Sequence, residues 1–234
     1  MRRNTVVVVL VVNALVGVRA FAAGRPVSLT AGDGTPLAAM LYETSSRPAP
    51  GVVLVHMLGR SKDEWIQTAE RLQDAGMTAL AIDLRGHGQS GGYGSDLPAM
   101  VGDVQAALRW LAGRSGVRPT AMAIAGSSLG ANLAALVAAD DGSLVAVALI
   151  SPSLDYRGLR LDPPLIKKLA GRPMWLAAST EDPLSLRTVR ELAADGVARE
   201  QRLSSVRGHG AALLASDHDL GRALVDWLRA RLIF

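Results

Sequence analysis

The sequence predicts an α/β fold, a three-layer sandwich in which a mostly parallel sheet lies between two layers of helices. Short apolar runs without polar alternation, such as Val52–Val55, are typical of strands that are covered on both faces. These runs alternate with segments of helical periodicity, which is the pattern of parallel strands joined by helical crossovers. The chain has 234 residues, 49% of them hydrophobic, and this suffices for one domain with a full core.

The individual elements follow in a regular order from residue 25 onward. A hairpin is predicted from Val27–Thr30 and Pro36–Tyr42, which flank the turn Gly32-Asp33-Gly34. Buried strands are then predicted at Val52–Val55, Thr78–Ile82, Ala121–Ala125, Leu144–Ile150 and Met174–Ala178, and a weak edge strand at Glu200–Leu203. Helices are predicted at Glu64–Ala75, Leu97–Leu111, Leu129–Ala139, Leu184–Ala194 and Leu220–Leu232. The stretch between Ile150 and Arg172, which is proline-rich from Ser151 to Pro164, has only about 20 residues, so we expect a short flap or no lid over an open pocket.

The first 22 residues differ from the rest and predict a secretory signal peptide. Arg2 and Arg3 supply a positive start, residues 5–18 are almost wholly apolar, and Ala20-Phe21-Ala22 has small residues where a signal peptidase cleaves. The folded domain is then residues 23–234. We expect the protein to be secreted or to reside in the periplasm or cell envelope.

An uncleaved membrane anchor and a buried first strand are the two alternatives for this segment. The apolar run of about 14 residues is short for a membrane span, which needs about 20. Seven valines between Val6 and Val16, without polar alternation, argue against a strand of the core. An uncleaved segment would give the protein an association with the membrane.

Charge and composition exclude several classes of function. Cleavage after residue 22 would remove three arginines, Arg2, Arg3 and Arg19, and lower the formal net charge from +4 to +1. No block of like charge remains, so binding to nucleic acid is not expected. Cysteine is absent, which excludes disulfides, thiolate metal sites and a cysteine nucleophile. Neither a cofactor nor a metal is predicted.

A candidate nucleophile follows the strand that ends at Ala125. The sequence Gly126-Ser127-Ser128-Leu129-Gly130 matches G-x-S-x-G and lies between a predicted strand and a predicted helix. Glycine at both outer positions relieves the crowding of a sharp turn, and the helix N-terminus favours the negative charge that forms in acyl transfer. A turn that merely caps a helix is the alternative. We expect Ser128 to be the nucleophile and not Ser127, which occupies the variable position.

A serine nucleophile needs a nearby imidazole and an acid that orients it. Of the four histidines, His56 and His87 precede the elbow, whereas the base of an elbow-type triad follows it. His209 lies between two glycines in a loop, and His218 lies between two aspartates at a helix start. We therefore expect His209 to be the base, with His218 as the alternative.

The acid is expected directly after the strand Met174–Ala178. Both Glu181 and Asp182 lie there, and Asp182 precedes Pro183 at the start of a helix. We favour Asp182 as the acid, with Glu181 as the alternative and with a purely capping role for Asp182 as a further one.

An oxyanion site requires two backbone N–H groups aimed at the charge that develops in acyl transfer. One should come from Leu129, the residue after the nucleophile. The other should come from the loop after Val55, where Leu58 is preferred and Met57 is the second choice. His56 in this loop is expected to hold the loop by hydrogen bonds. The glycine-rich segment Asp83–Ser90 lacks the lysine of a phosphate loop and is expected to be a rigid turn beside the pocket.

Together these segments resemble the α/β-hydrolase superfamily over residues 27–233, in particular its small dienelactone-hydrolase-like and serine-esterase-like group. The resemblance rests on Val52–His56 with Trp65, Asp83–Ser90, Gly126–Gly130, Glu181-Asp182 and Gly208-His209-Gly210. It implies the triad Ser128, Asp182 and His209, with oxyanion amides at Leu58 and Leu129. Two departures matter: Met57 stands where the family usually has glycine, and dienelactone hydrolases proper use a cysteine nucleophile.

The resemblance implies a serine hydrolase that cleaves a carboxylic ester or related acyl bond of a small molecule through an acyl-serine. Three alternatives stay open at this point. The same triad would serve an amidase or peptidase, or an acyltransferase, and the fold would also serve as a catalytically inactive scaffold.

Overall fold

The computed structural model describes residues 24–169, 171–194 and 198–233. The predicted signal peptide, residues 1–22, lies outside the described residues, and its role stays a prediction. Among the helices of the described ranges, none combines the length and the hydropathy that crossing a membrane requires.

The strands form a mostly parallel sheet, which confirms the predicted fold class. They are β1 (Arg25–Thr30), β2 (Pro36–Tyr42), β3 (Ala49–Val55), β4 (Thr78–Ile82), β5 (Val117–Ser127), β6 (Leu144–Ile150), β7 (Asp155–Tyr156), β8 (Leu159–Arg160), β9 (Met174–Ser179) and β10 (Arg199–Ser204). Within the described ranges, eight strands pair in the order β1-β2-β4-β3-β5-β6-β9-β10, and β7 pairs with β8 in a separate hairpin. The β1–β2 and β2–β4 pairs are antiparallel, and all pairs from β4 to β10 are parallel.

Helices cover both faces of this sheet. They are α1 (Ile66–Asp74), α2 (Leu97–Ala112), α3 (Leu129–Asp140), α4 (Pro163–Lys168), α5 (Pro183–Ala194), α6 (Ala211–Ser216) and α7 (His218–Leu232), with a 3-10 turn at Lys62–Trp65 before α1. The core on one face packs the sheet against α2 to α5, and the core on the other face packs it against α1, α6 and α7.

Strand β3 shows why the central strands lack polar alternation. Its seven residues are all buried. Val53 and Val55 belong to the core under α2 to α5, whereas Val52 and Leu54 belong to the core under α1, α6 and α7. A strand that is covered on both faces must be apolar at every position, since neither face meets water.

Three short elements were not predicted from the sequence: the β7–β8 hairpin, α4 and α6. Each has six residues or fewer, too few to show a hydrophobic period. The buried Asn132 of α3 holds the hairpin by hydrogen bonds. The Asn132 side-chain amide donates to the carbonyls of Ser153 and Leu159 at 2.7 and 2.8 Å, and its oxygen accepts the Ser153 N–H at 3.1 Å. The segment expected to form a small flap is therefore an ordered hairpin anchored to α3.

Candidate active site

The candidate site is assembled from loops at the carboxyl ends of the parallel strands. Ser128 directly follows β5, Asp182 lies three residues beyond β9, and His209 lies in the loop after β10. The loop after β3 begins at His56, and Ser151 directly follows β6. Because parallel strands end at the same edge of a sheet, one edge receives all of these residues.

Ser128 occupies a strained turn between β5 and α3. Its φ of 50° and ψ of −115° lie in a region that residues with a side chain rarely adopt. The Ser128 N–H donates to the carbonyl of Ile150 at 2.9 Å, and α3 begins at the next residue. This geometry is the sharp strand-to-helix turn that the G-x-S-x-G pattern predicts.

Close backbone packing explains the glycines at the two ends of this pattern. A Cβ on Gly126 would overlap the carbonyl oxygen of Gly130, and a Cβ on Gly130 would overlap the carbonyl oxygen of Val55. The first turn of α3 therefore rests directly on the end of β3. This contact sets the distance between the candidate nucleophile and the loop that follows β3.

Asp182 and His209 are joined by a hydrogen bond of 2.6 Å between Oδ2 and Nδ1. The other carboxylate oxygen of Asp182 accepts the Ser185 N–H at 3.2 Å and caps α5. Burial opposes the charge of Asp182, but the hydrogen bonds from His209 and Ser185 outweigh it and hold the pKa of this carboxyl below its usual value. An ionised Asp182 accepts hydrogen bonds only, so Nδ1 carries a proton, and in the neutral form of the ring Nε2 is the nitrogen with the lone pair.

The loop that carries His209 packs against the elbow and the β3 loop. The Gly210 N–H donates to Ser151 Oγ at 2.9 Å. A Cβ on Gly210 would lie 3.3 Å from Ser127 Cβ and 3.1 Å from Met57 Sδ. The neighbour of the candidate base thus contacts the neighbour of the candidate nucleophile. Among the described residues, no hydrogen bond joins the Ser128 hydroxyl itself to His209.

The alternative site residues lie elsewhere or are otherwise engaged. His218 is the first residue of α7, and its Nδ1 lies 3.5 Å from a guanidinium nitrogen of Arg71. The Glu181 N–H donates to Ser179 Oγ, and it is the Asp182 side chain that meets His209.

The backbone donors expected for an oxyanion belong to the start of α3 and to the loop after β3. Leu129 is the first residue of α3, and its N–H belongs to the helix N-terminus. The Met57 N–H, the second choice for this role, donates to Glu64 Oε1 at 3.0 Å and is therefore engaged. The role of Leu58 stays a prediction. The Leu58 side chain is partly buried against the core.

His56 is buried and holds this loop by hydrogen bonds. Its Nδ1 donates to the Met57 carbonyl at 2.7 Å, and its Nε2 accepts the Leu84 N–H at 3.0 Å. Burial lowers the pKa of His56 to about 4, so the ring is neutral near pH 7. A neutral imidazole that donates and accepts in this way joins the loops after β3 and β4.

The glycine-rich segment after β4 is built around the buried Asp83. Asp83 accepts the backbone N–H groups of Lys62 and Gln89 at 2.7 and 2.9 Å, and it pairs with Lys62 Nζ at 2.8 Å. A Cβ on Gly88 would overlap the Asp83 carboxylate. The segment is thus a rigid turn held by hydrogen bonds.

Glu64 is a residue of the site that sequence analysis assigned only to a helix. Its Oε1 accepts hydrogen bonds from both the Met57 N–H and the Ser127 hydroxyl. A positive charge on His209 lowers the pKa of the Glu64 carboxyl. The partners lie 7 and 63 residues away along the chain, a separation that no local pattern reveals.

An open groove of about 560 Å³ begins at the β3 loop and extends to α6 and the turn after β4. Its wall carries three charged side chains, Arg60, Asp63 and Glu64. The remaining lining residues are Met57, Gly59, Ser61, Gly88, Ala212 and Ala215. Across the described residues, no three His, Cys, Asp or Glu side chains are grouped as metal ligands.

Comparison with protein families identifies the fold and its broad chemistry. The family described as serine aminopeptidase, S33, matches residues 46–201, two thirds of the chain. The chain belongs to this family of α/β hydrolases. Proteins from two strains of Mycobacterium tuberculosis, described as uncharacterized, are 29% identical to this hydrolase over 225 residues, which cover 88% of its chain and 78% of theirs.

Solved structures share the fold of this hydrolase at low sequence identity. The Pyrococcus furiosus esterase Pf2001 is 17% identical, with a TM-score of 0.74 over 89% of this chain and 91% of its own. A dienelactone hydrolase from Anabaena variabilis is 18% identical, with a TM-score of 0.73 over 90% and 100%. Est1E from Butyrivibrio proteoclasticus, solved with ferulic acid, is 15% identical, with a TM-score of 0.72 over 89% and 100%.

The backbone contact at Gly130 leads to a prediction about the stability of the hydrolase. Gly130→Ala forces a methyl group against the β3 carbonyl, so we expect it to lower the free energy of unfolding by about 3 kcal/mol or more. The matched control is Gly102→Ala in α2, where a Cβ meets nothing within 4 Å, and we expect it to stabilise by about 0.5–1 kcal/mol. Urea unfolding followed by circular dichroism measures both. Equal effects of the two substitutions would contradict the packing argument.

Proposed function

We propose that this α/β hydrolase cleaves a carboxylic ester or related acyl bond of a small molecule through an acyl-serine intermediate. The observation that carries the proposal is the Asp182–His209 hydrogen bond, formed at the sheet edge where Ser128 occupies a strained strand-to-helix turn. Strain of this kind persists where the surrounding structure enforces it, and such positions cluster at active sites.

In the proposed reaction, Ser128 Oγ attacks the acyl carbon while His209 Nε2 takes the hydroxyl proton. The Leu58 and Leu129 N–H groups stabilise the charge on the former carbonyl oxygen. Collapse of the tetrahedral species releases the alcohol, which receives the proton from His209, and leaves the acyl group on Ser128. Water then attacks this ester, with His209 again taking and returning a proton, so the acid is released and the hydroxyl restored.

Asp182 has two functions in this scheme. Its hydrogen bond keeps the proton of the neutral imidazole on Nδ1, so that Nε2 faces the reaction. Its negative charge also stabilises the imidazolium that forms when His209 takes the serine proton. Hydrogen bonds between serine and histidine commonly tighten once substrate is bound, and the proposal requires Ser128 and His209 to meet at that stage.

Hydrolysis of an amide or peptide bond is the second candidate. The description of the matching family, serine aminopeptidase, favours it. The esterases among the solved structures favour the ester. Acyl transfer to an acceptor other than water, or an inactive scaffold, would follow if neither bond were cleaved.

A covalent probe gives the first prediction for this mechanism. A fluorophosphonate should label the protein at one serine, and peptide mass spectrometry should place the label on Ser128. Ser128→Ala should abolish labelling, because the attacking oxygen is absent, whereas the exposed-site control Ser143→Ala should label at the wild-type rate. A folded wild-type protein that stays unlabelled would rule out the acyl-serine mechanism.

Substrate panels at several pH values give the second prediction. We expect turnover of p-nitrophenyl esters in preference to amino-acid p-nitroanilides, with kcat/KM rising with pH as the general base loses its proton. Asp182→Asn should lower kcat by about 10⁴-fold, since the orienting carboxylate is lost. Faster cleavage of the anilides would favour the peptidase, and the absence of turnover in both series would favour the scaffold.

We also propose that residues 1–22 direct export, on the strength of their composition alone. The full chain, expressed in a bacterial host, should be recovered from the periplasm or medium without its first 22 residues, which N-terminal sequencing would show. Introducing a charge into the apolar run, as in Val9→Asp, should retain the protein in the cytoplasm. Recovery of the intact chain from membranes would identify the segment as an anchor.

A further inference from the structure

Glu64 lies where three segments of the candidate active site meet. Its Oε1 accepts the Met57 N–H at 3.0 Å from the loop after β3, and it also accepts the hydroxyl of Ser127 from the elbow. Ser127 is fully buried and directly precedes Ser128. One carboxylate oxygen therefore joins the segment that would bind the oxyanion to the segment that would carry the nucleophile.

The third segment is the loop of the candidate base. A Cβ on Gly210 would lie within 3.3 Å of both the Met57 and the Ser127 side chains, the residues that Glu64 binds. A positive charge on His209, the residue before Gly210, lowers the pKa of the Glu64 carboxyl. The position of Glu64 relative to His209 is thus set by the same packing that sets the position of the elbow.

The charged groups around this junction are few. Positive charges on Arg60, in the β3 loop, and on His209, in the loop after β10, lower the pKa of the Glu64 carboxyl. Asp182 bonds His209 from the start of α5. On the 3-10 turn of Glu64 itself, Lys62 is paired with Asp83, and Asp63 is exposed at the groove. Burial raises the pKa of the Glu64 carboxyl, against the opposing effect of its hydrogen bonds and of Arg60 and His209.

We propose that Glu64 is a positioning residue that fixes the β3 loop to the nucleophile elbow and holds a negative charge beside His209. The hydrogen bond from Met57 to Glu64 orients the Leu58 N–H relative to the Leu129 N–H, because Leu58 directly follows Met57. The negative charge also stabilises protonated His209, in addition to the charge of Asp182. This inference rests on the proposed function, since it assigns Glu64 to the same triad and oxyanion site.

Two substitutions separate the fixation from the charge. Glu64→Gln keeps an oxygen that accepts from Met57 and Ser127 but removes the negative charge. Ser127→Ala keeps the carboxyl group but removes one of the two contacts that fix the loop. If the Glu64 side chain only filled space, the two variants would have similar kinetics. If it is a positioning carboxylate, Glu64→Gln changes the pH dependence of kcat/KM, whereas Ser127→Ala changes kcat.

We expect Glu64→Gln to move the acidic limb of kcat/KM to lower pH by roughly 1 unit, since the charge that favours the imidazolium is lost. Ser127→Ala should lower kcat by about 10- to 100-fold, with KM unchanged, because the oxyanion donors are displaced. Glu70→Gln on α1, which removes an exposed carboxylate, is the control and should change neither quantity.

The decisive measurement does not need turnover. Proton NMR of the folded, substrate-free protein, with the ring signals of His209 assigned by His209→Gln, should show the imidazole titrating at lower pH in Glu64→Gln than in wild type. An unchanged midpoint overturns the inference. If the wild-type protein neither cleaves esters nor reacts with fluorophosphonate, the proposed function fails, while this titration still decides the role of Glu64.

A second measurement covers the case in which Glu64→Gln fails to fold. In wild-type protein labelled with ¹³C at the glutamate side-chain carboxyl, the Glu64 signal should show two inflections. One belongs to its own protonation, and the other coincides with the titration of His209. A Glu64 signal without the His209 inflection overturns the inference.

Discussion

The first turn of α3 lies so close to the end of β3 that Gly130 has no room for a side chain, and so close to the end of β5 that Gly126 has none either. This backbone contact has consequences across the whole site. It brings the residue after the candidate nucleophile next to the loop that follows β3, so two N–H groups from distant parts of the chain can face one atom. It also forces Ser128 into a conformation that an isolated turn would not keep, because the strain is held by strands β3 and β6 on either side.

Around this contact, buried and half-buried polar groups join the loops to one another and to the helices. His56 joins the loops after β3 and β4, Asn132 holds the β7–β8 hairpin, and Glu64 joins the β3 loop to the elbow. Each makes at least two hydrogen bonds, which offsets the cost of removing a polar side chain from water. Loops tied in this way can support a site whose geometry must be accurate to a fraction of an ångström.

Much of this arrangement can be predicted from the sequence, because much of it is encoded locally. The buried strands follow from apolar runs, and the elbow follows from two glycines spaced around a serine. For Asp182, the sequence leaves helix capping and the orientation of a histidine as alternatives, whereas in the structure its two oxygens make one contact of each kind. The contacts of Glu64 could not be predicted, because its two partners follow β3 and end β5 and are brought together only by the pairing of these strands. The hairpin and α6 are too short to carry a period.

The two outer strands of the sheet have a further consequence for a chain without cysteine. An edge strand exposes backbone groups that can pair with another molecule and seed aggregates. In β1 this edge contains Arg25 and Pro26, and proline has no N–H to offer. In β10 it begins Arg199-Glu200-Gln201-Arg202, with charges of both signs. Such edges discourage intermolecular strand pairing, which would help this fold remain monodisperse at high concentration without covalent cross-links.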